Sequence, residues 1–191
     1  MTSTTSPQTI TVTAISGRVT HAAGLGALLG AAASLVMAAF AMMAAATYQG
    51  SGFFTPLYHI ASTFISPSTL MTSMQHAMTG STFYFAFGPA VLGAVIHMMI
   101  GAMYGAIFAI AAALLPWRGP ALIAAGAVWG AIVFVISSFI ALPIAAAVFS
   151  SGDQITHMAS KVGYGTFLTE HVLFGLALGA LLASRRAFAR R

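Results

Sequence analysis

The apolar positions of the chain gather into four long runs, over residues 21–47, 89–115, 121–149 and 162–183. Each exceeds the ~20 residues that a helix needs to cross a bilayer. The expected fold is therefore all-α and integral to a membrane, a bundle of four transmembrane helices spanning residues 21–184. Gly88-Pro89 opens the second run, and Pro116-Trp117-Arg118-Gly119-Pro120 makes a tight turn that sets a tryptophan at interface level. Pro143 is expected to bend the far end of the third. Residues 1–20, rich in Thr and Ser, are expected to form a mobile cytoplasmic tail, and residues 185–191 a short basic one. The first run is longer than the ~7–15 residues of a signal-peptide core, so it reads as a retained span.

Residues 48–88 are the one long insertion, and they carry no charged side chain. Thr55-Pro56 and Ser66-Pro67 each supply a helix cap followed by a first-turn proline. Over residues 56–65 the helical period puts Leu57, Ile60, Ala61, Phe64 and Ile65 on one face and His59, Ser62 and Thr63 on the other. That pattern predicts a helix lying in the membrane interface, apolar face toward lipid. A second such helix runs to Met78 and stops at Thr79-Gly80.

Composition sharpens this picture. Only 5% of the 191 residues are charged, against about 25% in a soluble domain, so lipid must be the main solvent. The net charge of +5 does not indicate nucleic acid, because the seven basic residues make no continuous basic face. Arg18, Arg118, Arg185, Arg186, Arg190 and Arg191 instead fall on one side of a four-span topology, with Lys161 alone on the other. The excess of basic residues marks the cytoplasmic side and predicts that both termini lie there. Cysteine is absent, which removes disulfides and thiolate chemistry.

Two of the runs share a spacing. His97-Met-Met-Ile-Gly101-Ala-Met-Tyr-Gly105 in the second corresponds to His171-Val-Leu-Phe-Gly175-Leu-Ala-Leu-Gly179 in the fourth. Gly26 and Gly30 in the first correspond to Gly126 and Gly130 in the third. A two-helix unit used twice accounts for both, with a pseudo-two-fold axis along the membrane normal. Small residues let helix backbones approach in lipid, so these eight glycines and Gly93 are read first as packing seams.

The candidate chemistry is sparse. His97 and His171 lie roughly 12–14 Å in from the outer ends of their helices. The favoured role for each is a hydrogen bond to a neighbouring helix. The alternatives are ligation of a metal or of the iron of haem b, or a proton relay. Glu170 is the one carboxylate within a predicted span, a candidate for proton or cation handling unless it reaches the outer surface or Lys161. His59, His76 and His157 are candidates for a metal site if their loops converge. Met71, Met74 and Met78 suggest copper, yet they fall within about 60° of one another while His76 points away, so they are better read as an apolar helix face. Nothing else resembles a catalytic constellation, and no enzyme is expected.

The His-x3-Gly-x3-Gly helices resemble those of small bacterial four-span inner-membrane proteins of unknown function, from which the long insertion departs. The resemblance implies a bacterial plasma membrane and no mechanism. Three function classes follow. The first is a non-catalytic subunit or accessory protein, acting as a homo-oligomer or in a larger membrane complex. The second is a haem- or metal-binding electron-transfer protein using His97 and His171. The third is a small proton or cation transporter or channel using Glu170.

Overall fold

A computed structural model describes residues 7–188, with side chains described over 16–185. The described residues are helical and contain no strand: α1 (Pro7–Ala46), α2 (Thr55–Ala61), α3 (Ser68–Met78), α4 (Phe87–Leu114), α5 (Pro120–Ile136), a π turn (Ser137–Ala141), α6 (Leu142–Phe149), α7 (Asp153–Thr156), α8 (Met158–Val162) and α9 (Tyr164–Phe188). Four segments are long and apolar enough to cross a membrane: Ser16–Ala46, Phe87–Leu114, Pro120–Phe149 and Tyr164–Arg185.

Three boundaries differ from the sequence expectation. α1 begins at Pro7, so most of the expected tail is helix. Pro7 suits a first helical turn, no breaker follows it, and extending an existing helix needs no new nucleus. Residues 1–6 lie outside the described residues, as do Arg190 and Arg191. Residues 150–161, expected as a loop, carry the short helices α7 and α8. Pro143, which has no N–H to give, is preceded by a π turn in which the Leu142 N–H bonds the Ser137 carbonyl.

The helices pair as α1 with α4 and α5 with α9, and α1 against α9 joins the two pairs. Glycine decides how closely each pair approaches. A side chain at Gly26 or Gly30 would meet the backbone of Gly105 or Gly101, and one at Gly126 or Gly175 would meet the carbonyl of the other. Gly130 and Gly179 rest likewise on the backbones of His171 and Leu122. The seams are offset by one helical turn. Gly30 faces Gly101 and Gly105, whereas Gly126 faces Gly175 and Gly179, so Gly30 rather than Gly26 is the positional counterpart of Gly126. Gly93 serves a different contact, giving room to the Leu57 backbone of α2.

α4 and α5 follow one another in sequence but scarcely touch. Toward the arginine-bearing end, where Arg18 Nη2 donates to the Ala113 carbonyl at 3.1 Å, aromatic rings fill the space between them. Tyr104 and Phe108 each lie 6.3 Å from Trp129, and Phe108 lies 6.5 Å from Trp117, centroid to centroid. At the opposite end no such plug exists, and the gap is covered by the inserted segment.

That covering helix is α2, which ends at Ala61 rather than at 65 and is buried on both of its expected faces instead of lying apolar side to lipid. Leu57, Tyr58, His59, Ala61 and Ser62 are buried, while Phe64 and Ile65 are exposed. The period was read correctly, but the polar face has backbone partners inside the protein that outweigh a simple partition into lipid. Ser151 Oγ donates to the Thr63 carbonyl at 2.6 Å, and the Tyr58 hydroxyl donates to the Tyr84 carbonyl while accepting the Ala86 N–H. Thr55 and Ser73 join α2 to α3 through their hydroxyls at 2.8 Å. α3 keeps the expected exposed face of Met71, Met74 and Met78.

Candidate functional site

Beneath α2 lies a cavity of about 490 Å³ enclosed by α1, α4, the π turn, α6 and α9. Its walls are mostly aliphatic and aromatic, and five titratable side chains line them: His59, His97, Tyr104, Glu170 and His171. They come from three separate elements. Sequence reasoning had placed His97 and His171 on facing helices and left His59 on the outside.

Each imidazole is held the same way. His171 donates Nδ1–H to the Phe167 carbonyl one turn earlier, at 2.7 Å, with the Phe167 and Phe134 rings edge-on against it. His97 donates Nε2–H across the α4–α1 seam to the Ser34 carbonyl at 3.0 Å. His59 donates Nε2–H to the Gln154 carbonyl of α7 at 2.8 Å. A neutral imidazole with one N–H engaged by a carbonyl offers only a lone pair at its other nitrogen. His59 Nδ1, His97 Nδ1 and His171 Nε2 are those nitrogens, and none has a hydrogen-bond partner among the described residues. Burial holds His59, which lies outside the spans, below the usual imidazole range. The Gln154 carbonyl opposes that shift and the positive charge of Lys161 adds to it.

Glu170 is 5% exposed, and its carboxyl makes no hydrogen bond or ion pair among the described residues. The expected alternative partner, Lys161, is engaged elsewhere: its Nζ lies 3.7 Å from Asp153, whose other oxygen is 2.7 Å from His157 Nδ1. An ionised carboxylate left unpaired in such a site is costly, so Glu170 must hold a proton or meet a cation there.

The proposed outer metal site does not form. His59 is buried within α2, His76 stacks on Tyr84 at 4.8 Å on the exposed side of α3, and His157 pairs with Asp153. Among the described residues no three His, Asp or Glu side chains are grouped to hold a metal ion. The inserted segment spends its hydrogen bonds on covering the bundle, which separates the three imidazoles. A haem b between His97 and His171 also fits poorly. The two rings share one cavity, but no Lys or Arg lines it to meet the propionates of the porphyrin, and Glu170 would face them with like charge.

Sequence reading missed two contributors, the buried face of α2 and the π turn that brings Ser137 and Ala141 to the cavity wall. The signal for the second was Pro143, read as a bend. No protein-family model, curated protein or solved structure matches the chain.

Proposed function

We propose that this protein is a small proton- or cation-handling transporter of a bacterial plasma membrane, non-enzymatic, with both termini in the cytoplasm and the α2 side facing out. One observation carries the reading: Glu170, buried and unpaired, shares a cavity with three imidazoles that each keep a free nitrogen. A carboxyl in that setting exchanges a proton for a bound cation with little change in net charge, and adjacent imidazoles give the proton somewhere to go. The two glycine-sealed helix pairs support a two-helix unit used twice. Such a construction lets one pair rock against the other. The aromatic plug of Tyr104, Phe108, Trp117 and Trp129 closes the other half of the path, so transport requires that plug to part or a second copy to complete the route.

The test is flux in liposomes carrying the purified protein. Proton uptake coupled to an outward cation gradient should be present in the wild type and in Asp153→Asn, and lost in Glu170→Gln. Equal flux through wild type and Glu170→Gln would overturn the proposal and leave the non-catalytic accessory subunit as the reading.

A further inference from the structure

The polar groups of the cavity are one-sided. The three free imidazole nitrogens and the Glu170 carboxyl are acceptors or anions, and no Lys or Arg faces them. The remaining polar lining is not a strong counterweight. Ser34 Oγ donates to the Ala31 carbonyl at 2.7 Å and Gln49 Nε2 gives one of its two N–H groups to the Val162 carbonyl at 2.9 Å, while Thr63, Tyr104 and Ser137 bring neutral hydroxyls that accept as readily as they donate. A ligand complementary to this lining brings a positive charge and several N–H donors at one end. The rest of the wall asks for the opposite. Met37, Ile60, Leu142 and Phe174 are typical of it, and a hydrocarbon body fits them.

The cavity also has a direction of access. Its outer end is fastened by the His59–Gln154 and Ser151–Thr63 hydrogen bonds, with the Phe64 and Phe149 rings 4.5 Å apart at the rim. Its side is not fastened. Met99, Ile100 and Met103 of α4 line the cavity and are also exposed on the outer surface of the bundle, where α4 scarcely touches α5 or α6. The opening is thus toward the bilayer rather than toward water.

We infer that the cavity binds a lipophilic primary amine, which reaches it sideways from the outer leaflet between α4 and α6 and seats its ammonium on Glu170. The inference rests on the proposal that this cavity is the working site, and it names the cation. The aliphatic body occupies the apolar wall, the ammonium N–H groups donate to Glu170 and to the imidazole nitrogens, and no water-filled path is needed for loading.

The experiment uses the full-length protein in lipid nanodiscs and measures saturable binding of dodecylamine, dodecyltrimethylammonium and dodecanol, each corrected for empty nanodiscs. Dodecylamine should bind tightest, because dodecyltrimethylammonium has the charge without N–H donors and dodecanol lacks the charge. Glu170→Gln should weaken dodecylamine by about thirtyfold or more, the loss expected when one partner of a buried charge pair is removed. Met103→Trp, at the exposed rim, should slow dodecylamine association several-fold, whereas Asp153→Asn, outside the cavity lining, should load as the wild type does. Equal affinity for the amine and the alcohol, or unchanged amine binding in a folded Glu170→Gln, would overturn the inference. If Glu170-dependent proton flux persists without amine preference, the ligand class is wrong and the transport proposal stands. Saturable amine binding without any flux keeps the binding site and removes transport.

Discussion

His59, on the inserted segment, donates its Nε2–H to the carbonyl of Gln154, far along the chain in α7, at 2.8 Å. This bond ties the cover to the opposite side of the bundle and orients the imidazole so that Nδ1 faces the cavity. It also makes the cover sensitive to acid. Burial disfavours the protonated ring in the closed form, so an opened or unfolded segment takes up the proton more readily. The stability contributed by the neutral ring is whole above the ordinary value of 6.5 and is lost as pH falls below it toward the lower value set by burial. Lys161 from α8 adds to the loss, and the Gln154 carbonyl opposes it. After correction for the intrinsic slowing of exchange in acid, the protection of the α2 amides should therefore fall as pH drops below 6.5. His59→Phe should remove that dependence, and protection factors in the wild type that do not change with pH would refute the account.

Glycine substitutions should separate into two groups. A side chain at Gly30 or Gly126 has only partner backbone to occupy, and backbone does not yield as a flexible side chain does. Gly30→Val and Gly126→Val should each cost about 1–3 kcal/mol or disrupt the bundle. Gly24 has nothing near its absent Cβ. Gly24→Ala should stay within about 0.5 kcal/mol of the wild type. Thermal unfolding in detergent, read by circular dichroism, compares them.

Ser150 closes α6 in the left-handed region, with φ of 53°, and it is the one non-glycine residue with positive φ among those described. A Cβ is disfavoured there by about 1–2 kcal/mol. Ser150→Gly should raise the unfolding midpoint, and Ser150→Val should lower it. A fall in the glycine variant would show that the Ser150 side chain carries a contact of greater value.

The orientation has its own test. Reporter fusions after Arg191 and within the Arg118 turn should both be active in the cytoplasm, and one within residues 80–85 should be active outside. An exported C-terminal fusion would invert the topology.

Four apolar runs, their near-boundaries and the glycine rows could all be read without coordinates, because each depends on local composition and on helical period alone. A span of about 20 apolar residues has few alternatives to crossing a bilayer. The glycines of the His-x3-Gly-x3-Gly helices sit where backbone meets backbone, and a missing side chain is itself the signal.

What the chain segments do to one another was decided only by tertiary structure. The helical period of α2 is in the sequence, but its burial depends on the carbonyls of Gln154 and Tyr84 and the hydroxyl of Ser151, partners that no local pattern reveals. For the same reason His59 left the supposed outer cluster with His76 and His157 and joined His97, Glu170 and His171. The one-turn offset between the two glycine seams was equally invisible, since small residues repeat every four positions and admit either register. Sequence thus determined that the chain has four segments long and apolar enough to span a membrane and where its helices can approach. The depth, lining and sideways opening of the cavity came from long-range contacts, because burial and hydrogen bonding are settled by neighbours in space rather than by neighbours along the chain.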